Sequence, residues 1–577
     1  MRLSNLKKTV SALTLAGASW AVLPISTASA DATPDCNAGA VDATSLECGV
    51  DADADGEDAL AVGTEANADG TSTTAVGGES NATGTAATAF GWQSSATAER
   101  AHAIGHLATA SGVRSTAIGE AATASGLESF AAGNLANASG TDGVAVGTEA
   151  NASGTSSTAL GGESDATEAG TTAVGWQSQA TAERAQAFGH LANASGVRST
   201  AVGEAATASG QQSIALGNQS SATDTNAIAI GNTAEANGGD AIAIGGNRDG
   251  ATGRATVASG PSTTSVGGQA VAMGPGASAY GWRSEATAER AQAFGHLANA
   301  SGVRSLAVGE AANASGLESI AQGNLAVASG QDAVAMGTEA IASGTSSTAV
   351  GGESVANATA ATAYGWRSAA TAERAHAFGH LATASGVRST AVGEAANASG
   401  AGSVALGNQT SAVGANSIAI GNGATALADN QIAIGGSDAT YNFSGLNSAA
   451  STAAQSGEIG VVTTDRNGNL AADYSLSSGL AQNSGLISAN TRLIGRNSDD
   501  IRDNRGGIAA AIALDTPFVP EGKQFALSGG YGHYEDEGAL SMAAAFRLNP
   551  TWQLNAGVAK GVDRGGTGAR VGFQAAW

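Results

Sequence analysis

From residue 59 to residue 440 the chain alternates small apolar and polar residues in short runs, and a glycine closes each run at a fixed interval. Glycine stands at 63, 77, 91 and every fourteenth position to 245, then from 267 at the same interval to 435, which makes twenty-seven units. Two positions before each of these glycines is an alanine, except at Ser265, and the position between is mostly larger and apolar, as with Ile118, Phe188, Tyr280 and Met336. A second run follows, as in GEAATASG at 119–126. Two alternating stretches of this length, closed by glycines that reach backbone angles a Cβ forbids, predict a coil of two β-strands and two tight turns. Stacked in parallel at the usual strand spacing of ~4.8 Å, the coils make a rod about 130 Å long. An alanine-lined interior is narrow and buries little apolar area, so the larger groups beside the glycines call for cover from sister chains.

A longer period overlies this one. The segment beginning GWQSSATAERAHAIGHLATASG at Gly91 returns at 175, 281 and 365, at spacings of 84, 106 and 84 residues. Eighty-four is six coils. The odd spacing contains NRDGATGRATVASGPS, and Pro261 and Pro275 fall in this region, so an irregular insertion is expected over about 246–262.

Beyond the repeats the pattern changes twice. In ISANTRLIGRNSDDIRDNRGGI, residues 487–508, isoleucines at Ile487, Ile494, Ile501 and Ile508 mark a coiled-coil seam, while Asn490, Asn497 and Asn504 hold its other position. Asparagine in a seam trades stability for register and oligomer number. The C-terminal segments KQFALSGGYGHYE, GALSMAAAFRLN, TWQLNAGVAKGV and GARVGFQAAW have the ~10-residue length of outer-membrane strands. In the last, Val571, Phe573, Ala575 and Trp577 line one side. Small membrane barrels start at about eight strands, so four strands require several chains.

The fourteen-residue unit resembles the head repeat of the YadA-like trimeric autotransporter adhesins. GLNSAASTAAQSGEIGVVTTDRNGNLAADYS at 445–475 is similar to a connector that follows such heads, and the last 70 or so residues resemble the family's anchor. The resemblance implies a mostly β chain that forms a homotrimer on a Gram-negative outer membrane. Its parts are a left-handed parallel β-roll head, a short neck, a coiled-coil stalk and a twelve-stranded barrel to which each chain gives four strands. It also implies an anion on the stalk axis near Asn490, Asn497 and Asn504, chloride being the candidate, and a terminal Phe573/Trp577 signal for barrel-assembly machinery. The expected segments are a signal peptide (1–30), a lead-in (31–58), the head (59–440), a neck (441–475), a stalk (476–507) and the anchor (508–577).

Composition sharpens this picture. The basic start, apolar middle and Ala28-Ser29-Ala30 read as a secretory signal peptide. In an oxidising compartment Cys36 and Cys48 are expected to form a disulfide. A formal charge of −24, with no lysine between Lys8 and Lys523, excludes nucleic acid as a partner. The acids Asp51, Asp53 and Asp55 with Gly56 begin like a calcium loop, but Val62 stands where a bidentate glutamate belongs, so no calcium is expected.

Seven histidines, His102, His106, His190, His296, His376, His380 and His533, come with no repeated carboxylate and nucleophile set, so neither catalysis nor a cofactor is expected. Histidines gathered as metal ligands about a threefold axis are the lesser reading, with ordinary packing preferred. Trp92, Trp176, Trp282 and Trp366 each follow a coil-closing glycine, and Arg100, Arg114, Arg290 and Arg304 stack at intervals of fourteen. Ion pairing with Glu99, Glu289 or acids of a sister chain is the plainer reading of these arginines. The other is a Trp/Arg ligand face repeated along the rod. The functional expectation is an adhesin for matrix proteins, glycans or inert surfaces and for cell–cell aggregation. The alternative is a structural coat fibre that self-associates without a ligand.

Overall fold

The computed structural model describes residues 36–38, 42–247 and 253–577, so the expected signal peptide lies outside the described residues. Two units are distinguished, divided at Thr440/Tyr441.

In the first unit each coil contributes a three-residue and a two-residue strand, for example Thr88–Phe90 and Ser95–Ala96, followed by His102–Ile104 and Thr109–Ala110. Successive coils pair in parallel at a shift of fourteen, placing Ala89 on Ala103 and Ala96 on Ala110. The three-residue strands form one sheet and the two-residue strands the other. Between the sheets lies a core made mostly of alanine, with Ala87, Ala89, Ala101 and Ala103 at 0% exposure. Serine and threonine share it, and some of their hydroxyls meet the turn, as Ser94 Oγ donates to the Gly91 carbonyl at 2.9 Å, while others, such as those of Ser115 and Ser157, are buried without a partner.

The turns differ from expectation. Gly91 takes a φ of 135°, and a Cβ there would lie 2.4 Å from the Gly105 carbonyl oxygen. In the other turn Gly112 does not take a positive φ, yet a Cβ would come within 1.9 Å of the Gly126 oxygen. Close approach between coils therefore selects glycine in both turns, and backbone angle in only one. The left-handed position lies two residues on and carries ordinary side chains, at Gln93, Arg100, Leu107 and Arg114, with φ between 53° and 60°. Such a conformation costs about 1–2 kcal/mol per residue. It persists because the preceding coil's backbone holds it, as when the Arg100 amide donates to the Thr85 carbonyl at 2.8 Å.

The insertion is shorter than expected. Ile242 pairs with Thr264 and Glu235 with Val257, a step of 22 instead of 14, so eight residues are extra. The regular coil resumes at Val257–Ala258. Pro261 and Pro275 belong to ordinary turns, where they follow a glycine and precede the left-handed residues Ser262 and Gly276, the slot that proline's fixed φ suits.

The head also begins earlier than residue 59, because Leu46–Cys48 already pairs in parallel with Leu60–Val62. Cys36–Ala38 pairs antiparallel with that first strand and covers the sheet's edge. Cys36 and Cys48 are joined as a disulfide.

The second unit holds a short helix, Ala449–Ala454, a hairpin of Val461–Thr464 with Leu470–Asp473, and a 39-residue helix, Ser475–Ala513. Asp473 starts the long helix by accepting the Ser475 amide at 2.7 Å, and hydrogen bonds from Ser475 hold its carboxyl below the usual range. The helix overruns the expected stalk boundary at 507. A four-stranded antiparallel sheet follows, Phe525–Tyr534, Glu537–Arg547, Trp552–Gly561 and Thr567–Ala575, with both outer strands unpaired at one edge.

One face of this sheet carries small residues and receives the end of the helix, burying Ala509, Ala510 and Ala513 beside Ala539 and Ala559. Gly530 and Gly532 make room there, since a Cβ at either would lie 2.4 Å from the carbonyl oxygens of Ala513 and Ala509. The opposite face exposes Leu527, Leu540, Met542, Leu554, Val558, Val571 and Phe573. Among the described residues no helix is long and apolar enough to cross a membrane.

Candidate binding surface

A coil has two turns, and they carry different chemistry. The turn after each three-residue strand presents the tryptophans, two of them with Arg283 or Arg367 alongside, and the turn after each two-residue strand presents Arg100, Arg114, Arg290 and Arg304, half a coil away on the opposite edge. Trp92 and Arg100 therefore do not share a face, and neither do Trp282 and Arg290. The combined Trp/Arg surface read from the sequence is thus separated into two edges.

On the tryptophan edge, residues fourteen apart build a column that the sequence reading missed. The Trp92 ring stacks on His106 with centroids 4.9 Å apart. His106 Nδ1 approaches Glu120 Oε1 at 3.6 Å, and Asn134 Nδ2 donates to Glu120 Oε2 at 3.2 Å. The column recurs as Trp176–His190–Glu204–Asn218, Trp282–His296–Glu310–Asn324 and Trp366–His380–Glu394–Asn408, every stack at 4.9 Å. Below each indole lies a glycine whose Cβ would meet the ring, at 3.2 Å for Gly78 against Trp92 Cδ1. These histidines are thus taken up by stacking and by a carboxylate. Writing the sequence in rows of fourteen puts Gly, Trp, His, Glu and Asn in one vertical line, the signal by which this column was open to prediction.

On the arginine edge, Arg100 pairs with Glu99 at 3.9 Å and Arg114 with Glu128. Arg290 likewise pairs with Glu289 at 4.0 Å, and Arg304 with Glu318. Exposed pairs of this kind are worth about 0–1 kcal/mol each. They offset the repulsion between arginines stacked at strand spacing.

The family model described as YadA head domain repeat matches thirteen segments between residues 54 and 437, together more than half the chain, and the YadA-like membrane anchor domain matches 517–577. The chain belongs to the YadA-like trimeric autotransporter adhesins. Its anchor lies in the outer membrane and its head is displayed at the cell surface. Among solved structures the adhesin is similar to the collagen-binding domain of the Yersinia adhesin YadA, with 22% identity over 40% of this chain and 92% of that one and a TM-score of 0.18. No curated protein matches significantly.

At the first coil the adhesin carries an acidic end. Glu47 takes the register position of the core alanine Ala61, where a terminal coil needs a polar outer face. Its carboxylate lies with those of Asp53 and Asp55 within 4.8 Å. Asp51 stands apart in a turn with a φ of 57°, so the acids do not wrap as a calcium loop does. Desolvation, then the charges of Asp55, Asp69 and Glu47, push the Asp53 carboxyl up. A raised carboxyl favours folding fully below its ordinary pKa and loses that contribution as pH rises through the folded value. Asp53→Asn is therefore expected to slow amide exchange in the first coils at neutral pH and leave it unchanged in acid, as hydrogen-exchange mass spectrometry would show.

The remaining candidate residues lie in the second unit. Asn490, Asn497 and Asn504 are exposed along the long helix, as are Ile487, Ile494, Ile501 and Ile508 at 42–69%. Phe573 stacks at a tilt with Trp552, centroids 5.4 Å apart, and Trp577 is wholly exposed.

Proposed function

We propose that three copies of this chain form one non-enzymatic adhesin that attaches the bacterial cell to host matrix, glycan or inert surfaces and to other cells, with the anchor exporting the head. The observation that carries the reading is the four-stranded sheet. Its outer face is apolar, its inner face holds a helix end, and both of its edges are open. Open edges are not tolerated within the hydrocarbon layer, and four strands cannot enclose a helix. Three chains supply twelve strands, a closed wall around three helices.

Two further features support assembly. The isoleucine seam has no cover within one chain, and the large head sheet exposes a strip that includes Phe90, Ile104, Ile118, Phe188 and Ile214. Asparagines in the seam would fix register and surround an axial anion. Phe573 and Trp577 at the chain's end would serve recognition by barrel-assembly machinery, and outer-membrane lipid would contact the apolar face. Detergent extracts kept unheated are expected to sediment as a trimer that heating dissociates, while cells displaying the protein bind coated surfaces. A folded single-chain species would refute the assembly. Clumping of displaying cells without attachment to any surface would favour the coat-fibre reading.

A further inference from the structure

The four tryptophan modules are not equivalent at the residue following the indole. In the fourth, Arg367 places its guanidinium carbon 4.4 Å from the Trp366 ring centre while its Nε donates to Glu353 Oε2 at 2.7 Å. In the third, Arg283 lies over Trp282 at the same 4.4 Å, and its Nε donates to Gln269 Oε1 at 2.5 Å. Each of these modules thus holds a guanidinium against its own indole and a neighbouring oxygen.

The first two modules present the same ring and carboxylate with glutamine in the arginine's place. Gln93 Nε2 donates to Glu79 Oε2 at 2.6 Å, and Gln177 Nε2 to Glu163 Oε2 at 2.8 Å. One coil earlier stand Glu65 and Glu149, so each stack carries two like charges at strand spacing with a neutral cap. The fourth module has the same glutamate pair, Glu339 and Glu353, but Arg367 neutralises one charge. Trp92 and Trp176 are 46% and 48% exposed.

We infer that the first two modules are open clasps for a partner's arginine side chains, with the indole and stacked glutamates taking the guanidinium that modules three and four supply internally. The partner is a basic polypeptide segment. A guanidinium gains a cation–π contact and a hydrogen bond charged on both sides, where the bond from glutamine that it displaces is charged only on the carboxylate. The clasps stand six coils apart, about 29 Å, so one extended basic segment or two basic patches engage both and gain from being linked. The head has no lysine, and its acidity draws such a partner in.

This deepens the adhesive reading and rests on it. The test uses the full-length protein in detergent and a synthetic peptide alternating arginine and glycine, with binding followed by fluorescence anisotropy at low and high salt. Filling both clasps from within, Gln93→Arg with Gln177→Arg, is expected to weaken binding at least about fivefold. The same charge added on the other edge, by Ser72→Arg with Ser346→Arg at left-handed positions like those of the existing arginines, is expected to change it less than twofold. Arg367→Gln is expected to open one more site per chain. Equal losses in the two double variants, or undiminished binding with both clasps filled, overturn the proposal. Surface attachment that survives filling of the clasps overturns it while leaving the adhesive function standing.

Discussion

Gly133→Ala is expected to break the head stack at that coil, with protease cleavage appearing nearby and thermal unfolding of the head occurring in two parts. The position has a φ of 142°, and a Cβ would lie 2.3 Å from the Gly147 carbonyl oxygen. Backbone is the obstacle, so no side-chain rotation relieves it. Strain and overpacking each cost about 1–3 kcal/mol, which together put the loss at roughly 2–6 kcal/mol. In a solenoid each coil touches only its neighbours, so the defect stays where it is made and divides the rod. Gly239→Ala is the control, because a Cβ there meets nothing within 4 Å. Limited proteolysis with mass mapping, alongside calorimetry of the full chain, reads both. Identical behaviour of the two variants would show that coil contact is not what selects glycine.

Val558→Arg is expected to abolish the folded, membrane-inserted anchor. Val558 sits mid-strand on the exposed apolar face, paired with Met542 on one side and Ala569 on the other. A cation at that depth on a lipid-facing wall costs about 2–4 kcal/mol, and the proposed trimer would carry it in every chain. Thr567→Arg supplies the same charge at a strand end opposite Lys560, where the cost falls to about 0–1 kcal/mol. Heat-modifiable migration of outer-membrane fractions on gels should vanish for the first variant and persist for the second. Persistence in both would mean that this face does not meet lipid.

Much of the fold was legible because the backbone path of a solenoid coil is a local matter. Alanine every seventh place or nearer, glycine every fourteenth and the alternation between them announce two strands, two turns and a thin core. The four anchor segments likewise announced themselves by length and alternation, and their observed bounds lie within a few residues of those expected. The insertion is visible as a slip in phase, although its expected end falls too late because Pro261 and Pro275, which suggest irregularity, fill regular turns.

What stayed hidden depends on stacking. A residue's partner fourteen places away is set by the register between coils, so His106, distant in the chain from both Trp92 and Glu120, joins them only once the coils are laid on one another. Stacking also decides that glycines such as Gly112 are required by a neighbour's carbonyl and not by their own dihedral angles. It places Trp92 and Arg100 on opposite edges, and it lets side chains as large as Leu107 hold a left-handed backbone that the chain alone would avoid. By itself the sequence determined the coil, its count and its narrow alanine interior, because these follow from short-range sterics. Only the tertiary structure decided which side chains meet, because those contacts exist between coils and not within one.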